Sequence, residues 1–227
     1  MNAAADLTDR NHEIIDLAAR FGLISAATLQ CLMPKSNSEL SVDAARKALD
    51  RLKDGGQFNR YYLPGGKPYY VLSTSACNRM QLKRTGAALR QRALIRRCLV
   101  LYHFAAHPEL HLMTAGEVND SLPDIYRRGS ANFYFVDETD TSLGWICLDD
   151  GKQSARVHFK TKQVAGKKRL IPQLRELAQQ RQFRFLVLTT ADDKAAQLRQ
   201  LFAARPIRDI EVRIAAVTAC CDLLISS

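Results

Sequence analysis

Two long stretches of this chain lack acidic residues altogether: none falls between Asp54 and Glu109, and none between Asp150 and Glu176. Long apolar runs are also missing, and without about eighteen consecutive apolar residues no membrane-spanning helix is expected. The first twenty residues carry acids at Asp6, Asp9, Glu13 and Asp16 and no apolar core, so no secretory signal is expected. Six cysteines (Cys31, Cys77, Cys98, Cys147, Cys220 and Cys221) are scattered with no C-x-x-C pair. Reduced thiols in a cytoplasmic protein are expected rather than a disulfide framework. What is present suffices for a packed core. The 227 residues are 47% hydrophobic and 25% charged, which points to one or two folded domains rather than a disordered chain. The net charge of +10 makes a polyanion the expected partner.

The distribution of charge sharpens that expectation. The first acid-free stretch holds Arg60, Lys67, Arg79, Lys83, Arg84, Arg90, Arg92, Arg96 and Arg97. The second holds Lys152, Arg156, Lys160, Lys162, Lys167, Lys168, Arg169 and Arg175. Each run reads either as one solvated helix face or as a phosphate-contacting surface. Aromatic residues among the cations favour phosphate contact.

In the N-terminal part, Thr8 or Asp9 caps a helix with Ile14, Ile15, Leu17, Ala18 and Phe21 at helical spacing, stopped by Gly22. Ser25 caps a second helix that ends at Pro34, and Ser41 caps a third from Val42 to Asp54, closed by Gly55 and Gly56. Two β-rich runs follow, Phe58 to Leu63 and Pro68 to Leu72, around the turn Pro64-Gly65-Gly66-Lys67. Three helices and a basic, tyrosine-rich hairpin is the order of a winged helix–turn–helix, whose third helix enters the major groove of double-stranded DNA. On that reading Arg46, Lys47, Arg51, Arg60 and Lys67 face DNA, and about half of Tyr61, Tyr62, Tyr69 and Tyr70 are core. The same fold also serves as a protein–protein module.

A long connecting helix is expected over residues 84–107, with Leu94, Ile95, Cys98, Leu99 and Leu101 too apolar for a solvated linker. It suits packing under the wing and against a second domain, or against a second copy in a homodimer. His103, His107 and His111 are spaced by four, which suits a zinc site or simply satisfied histidines; Pro108 interrupts the helix between them. The expected divisions are residues 1–83, a connection over 84–112, and a second domain over 113–227.

From Ser121 the pattern becomes α/β. Residues 133–136 and 143–148 read as strands, followed by a basic helix from about Ser154, a helix over 170–181, a buried strand over 183–189, a helix over 194–204 and a strand over 210–217. A mixed sheet covered by helices is expected, so the whole chain is placed in the α+β class. Pro123-Asp124 and Asp150-Gly151-Lys152 form a PD…DxK pattern on consecutive strands. There Asp124 and Asp150, or Asp149, would hold Mg²⁺ while Lys152 or Lys160 acts on the phosphate. The same letters also spell a common surface turn. Lys160, Lys162, Lys167 and Lys168 would add backbone contacts to DNA. Tyr126, near Asp124, is a conceivable covalent nucleophile but suits a structural role better.

The run Tyr70-Val71-Leu72-Ser73-Thr74, the helix beginning near Thr85-Gly86, and Leu122-Pro123-Asp124-Ile125-Tyr126 together resemble the plasmid replication–relaxation family, which includes mobilisation proteins of the MobC relaxase type. The resemblance implies a winged helix joined to a restriction-endonuclease-like domain of PD-(D/E)xK type. It also implies a role in plasmid replication, mobilisation or transfer alongside other proteins of those processes. In that family the second strand ends in Glu-x-Asp with a lysine in the next helix. Here Cys147-Leu148-Asp149 occupies that motif, with Lys160 or Lys162 as the lysine. Cysteine is a poor Mg²⁺ ligand because the hard cation demands oxygen. Under this register the domain is a degenerate nuclease and the protein a DNA binder without a cofactor. Under the literal register it is a Mg²⁺-dependent endonuclease or nicking relaxase.

Overall fold

The computed structural model describes residues 9–33, 40–123, 133–149 and 153–220. It is an α+β protein with two sheets, divided into two compact units between Pro108 and Glu109.

The first unit begins with helices α1 (Asp9–Phe21), α2 (Ala26–Leu32) and α3 (Val42–Asp54). Ser25 and Thr28 form a reciprocal capping box on α2, and the Ser41 hydroxyl accepts the Ala44 amide at the start of α3. Strands β1 (Phe58–Tyr62) and β2 (Pro68–Leu72) pair antiparallel, Phe58 opposite Leu72 and Tyr62 opposite Pro68. Ile24 joins the edge by exchanging two backbone hydrogen bonds with Tyr70. Ile14, Ala18, Leu29, Ala45, Leu49, Phe58 and Tyr70 form the core between helices and hairpin.

A short helix, α4 (Thr74–Arg79), then intervenes where none was expected, capped by Ser73. Helix α5 (Gln91–Ala106) starts seven residues later than the apolar pattern suggested. The cause is Gly86. Its φ is +66°, and a Cβ there would lie 2.5 Å from the Thr74 nitrogen. Its carbonyl accepts from Asn59 Nδ2 at 2.8 Å and from the Tyr61 hydroxyl at 3.1 Å. These bonds stretch the chain across the hairpin before the helix begins. Helix α5 packs on α1 and α2 as part of the first unit.

The second unit is a five-stranded sheet in the order β3-β4-β5-β6-β7. Its elements are β3 (Leu110–Leu112), α6 (Ala115–Ser121), β4 (Tyr134–Asp137), β5 (Ser142–Leu148), α7 (Ser154–Lys168), α8 (Pro172–Gln179), β6 (Phe183–Thr189), α9 (Asp192–Ala204) and β7 (Glu211–Ala216), then a 3₁₀ turn over Thr218–Cys220. The first three strands run antiparallel and the last three parallel. Every residue of β6 is buried, as a parallel strand inside a sheet requires. Gly144 on β5 faces Phe135 on β4, and any Cβ at that position would collide with the phenyl ring.

Candidate nucleic-acid interface

Helix α3 buries Ala45, Ala48, Leu49 and Leu52 and turns Arg46, Lys47 and Arg51 to solvent. The same outward side carries acids. Arg46 lies 3.1 Å from Asp43, and Lys53 lies 2.7 Å from Asp54. Arg60 on β1 reaches Asp50 at 3.2 Å, and the Tyr70 hydroxyl donates to the same carboxylate oxygen at 2.8 Å. The helix and the hairpin therefore meet through one carboxylate. Burial first, then Asp50, pushes the Tyr70 phenol up to about 12. Lys67 is exposed at the hairpin turn, where the Leu63 amide donates to its carbonyl at 2.8 Å.

Among the four tyrosines, Tyr62 is exposed beneath the Arg60 guanidinium, Tyr61 is half-buried, and Tyr69 and Tyr70 are both buried. Neighbouring strand residues point to opposite faces, so two buried neighbours mean that both faces of β2 are covered. The segment before α5 covers one of them, and the Leu89 amide donates to the Tyr69 hydroxyl at 3.3 Å.

Two of the cations in the first acid-free stretch have structural work. Arg84 Nη1 donates to the Ala19 carbonyl at 2.7 Å and Arg97 Nη1 to the Phe21 carbonyl at 3.3 Å. Both satisfy acceptors at the carboxyl end of α1, where a cation also meets the negative end of the helix dipole. Burial, with Arg84 nearby, pulls Arg97 down to about 10.

In the second unit the lysines of α7 divide. Lys160, Lys162 and Lys167 are exposed. Lys168, expected to contact DNA, is instead buried at 5% exposure. Its ammonium sits 3.7 Å from the Trp145 ring centroid and donates to the Tyr134 hydroxyl. The helical phase explains this correction: Val157, Thr161, Ala165 and Lys168 form the inward stripe of α7. Burial pulls the Lys168 amine down to about 8.

Asp149 follows β5 at the carboxyl end of the parallel strands, where ligands of open α/β sheets bind. Its side chain is fully buried, accepts from the Thr189 hydroxyl at 3.0 Å and is paired with Lys194 of α9 at 2.9 Å. Cys147 lies on the same strand face, and desolvation pushes its thiol up to about 12 against smaller effects of Thr161 and Lys168. Lys160 and Lys162 are exposed, outside the buried stripe of α7. A protonated thiol beside a carboxylate already neutralised by lysine does not fit Mg²⁺, which prefers several oxygen ligands. Asp124, Asp150 and Lys152, which carry the literal register, lie outside the described residues, as does Tyr126. His103 is buried with its ring 4.4 Å from that of His107, and His111 bonds Glu117 at 3.1 Å. Among the described residues no cluster of three metal-ligating side chains occurs.

A second charged constellation was not anticipated. Arg184 on β6 is buried, with Asp137 at 2.8 Å and Asp140 also in contact, while Arg213 on β7 reaches Asp137 at 3.1 Å. Ser142, whose amide donates to Asp140 at 3.1 Å, and then Arg184 hold the Asp140 carboxyl down at about 2. This network ties β4, β6 and β7 together. An arginine inside the apolar run 183–189 was the available signal, because a buried charge needs partners. No family model, no curated protein and no solved structure matches the chain. No helix among the described residues is long and apolar enough to cross a membrane.

Proposed function

We propose that this protein binds double-stranded DNA through a winged helix–turn–helix, with α3 presented to the major groove and the β1–β2 hairpin to the backbone. The carrying observation is that α3 and the hairpin adjoin through Arg60 and Asp50 while Arg46, Lys47, Arg51 and Lys67 remain exposed around that junction. The second unit acts as a degenerate restriction-endonuclease-like domain that adds backbone contacts or recruits other replication or transfer proteins. The expected setting is a mobile element such as a plasmid, with the protein acting as a cytoplasmic homodimer. The pairing of Asp149 with Lys194, and the cysteine at position 147, support a domain that no longer cuts.

Titration of the full chain into labelled duplexes at several salt concentrations tests the reading. Affinity falling steeply with salt is expected, because phosphate contacts release counterions. Absence of duplex binding would replace it with an assembly role toward acidic proteins. A parallel incubation with supercoiled plasmid and Mg²⁺ or Mn²⁺ is expected to leave the plasmid intact. Nicking abolished by both Asp124→Ala and Asp150→Ala would make the protein a metal-dependent nickase instead.

A further inference from the structure

Helix α7 presents an outward face that lies outside the winged helix–turn–helix. At about 100° per residue, Arg156 and Lys162 flank Phe159 at about 60° on either side, with Lys167 and Lys160 at about 80° and 100°. All five side chains are exposed, Phe159 at 64%. Directly above and below the ring lie Ala155 and Gly166, both exposed; a Cβ added at Gly166 would meet nothing within 4 Å. The phenyl ring therefore stands clear on a helix whose inward stripe already serves the core. Leu170, at 72% exposure, adds a second apolar contact just beyond the helix end.

We propose that this face binds single-stranded nucleic acid, with Phe159 stacking on a base and Arg156, Lys160, Lys162 and Lys167 meeting the flanking phosphates. The proposal rests on the same polyanion preference as the duplex reading but assigns the second unit a different ligand. A ring bordered by cations matches the alternation of base and phosphate along a single strand. In a duplex the base faces are covered by their neighbours, so an exposed phenyl ring has nothing to stack on. A membrane surface fits less well. Helices that lie in a bilayer bury a continuous apolar face, and here that face (Val157, Ala165) packs in the protein core. The stretch 151–175 contains no acid to repel a phosphate chain.

The test compares the intact protein with Phe159→Ala and Phe159→Trp, using labelled oligodeoxyuridylate and oligouridylate of about twenty nucleotides, a duplex of similar length, and phosphatidylserine vesicles. Phe159→Ala is expected to weaken binding of the oligomers roughly five- to hundred-fold while Phe159→Trp keeps it, the range that removal of one stacked base implies. Duplex affinity and melting temperature are expected to stay unchanged in both variants. Binding of either oligomer with this dependence supports the proposal, and the tighter of the two identifies the preferred sugar. Oligomer affinity indifferent to Phe159→Ala overturns it. So does a protein that binds duplex but no single strand, which leaves the duplex reading intact. Phe159-dependent binding of single strands by a protein that ignores duplex supports this proposal and removes the other. Phe159-dependent vesicle binding without oligomer binding assigns the face to membranes and also overturns it.

Discussion

The Arg60 guanidinium lies 3.2 Å from the Asp50 carboxylate, so the hairpin's central cation is shared with the helix proposed to read DNA. The pair is partly exposed, and such a pair contributes little to stability. Its effect on binding is larger, because Asp50 withholds one positive charge from an approaching phosphate. Asp50→Asn keeps an oxygen for the Tyr70 hydroxyl and removes that restraint. Duplex affinity is expected to rise several-fold, with the salt dependence steeper by about one unit, since one more cation becomes available. Unchanged affinity and slope in a salt titration would remove Arg60 from the interface.

Arg51 and Lys67 are expected to act differently. If α3 lies in the groove, Arg51→Ala and Arg46→Ala relax sequence preference, each costing roughly 1 to 3 kcal/mol of discrimination between bases. Lys67→Ala weakens all duplexes alike and flattens the salt slope by about one unit. A panel of randomised duplexes separates the two, and preference altered by Lys67→Ala would place the turn rather than α3 in the groove.

Lys168 makes stability depend on pH. The amine titrates near 10.5 when unfolded and at about 8 in the folded protein, so between those values the unfolded chain holds more protons on it. Stability from this group therefore rises from pH 8 to 10.5, by roughly 3 kcal/mol, and below pH 8 the full penalty of burying the charge applies. Cys98 and Cys147, both pushed up to about 12, work in the opposite direction once unfolded thiols ionise. The comparison of wild type with Lys168→Met in urea isolates the lysine. Wild type is expected to gain on the variant across this window, and parallel curves would show that the amine is not buried.

Lys194→Met should destabilise the second unit by about 3 to 5 kcal/mol, because it leaves the fully buried Asp149 without its cation. Adding Asp149→Asn should recover part of that deficit, since the uncompensated charge disappears. Chemical denaturation of wild type, the single variant and the double variant measures both effects. A mild Lys194→Met phenotype would mean that Asp149 is supported by other groups and has the freedom a ligand-binding carboxylate needs.

Much of the first unit was legible because its signals are local. Ser25, Ser41 and Gly55 sit where their side chains or flexibility complete a helix end, and Pro64-Gly65-Gly66-Lys67 bends between two β-rich runs. The strands of the second unit were readable from β-branched and aromatic runs, apart from β3, which is three residues long and carries no period. Helix α6 was missed although Thr114 and Glu117 form its capping box. The late start of α5 was not legible, since it depends on Asn59 and Tyr61 taking the Gly86 carbonyl from more than twenty residues away. Lys168 was half-legible: the phase of α7 turns it inward, but only Trp145 and Tyr134 supply the surroundings that accept an ammonium there.

The sequence by itself determined the excess of positive charge, its confinement to two acid-free stretches, and most helix ends and strands, because those properties rest on composition or on neighbours a few residues apart. The tertiary structure decided what each charge does. Arg84 and Arg97 close a helix, Arg184 and Lys194 neutralise buried carboxylates, Lys168 lies against aromatic rings, and Phe159 stands among cations in solvent. The same residue types face inward or outward according to helical phase and to partners distant in the chain, and a charge stays buried only where those partners offset its missing hydration.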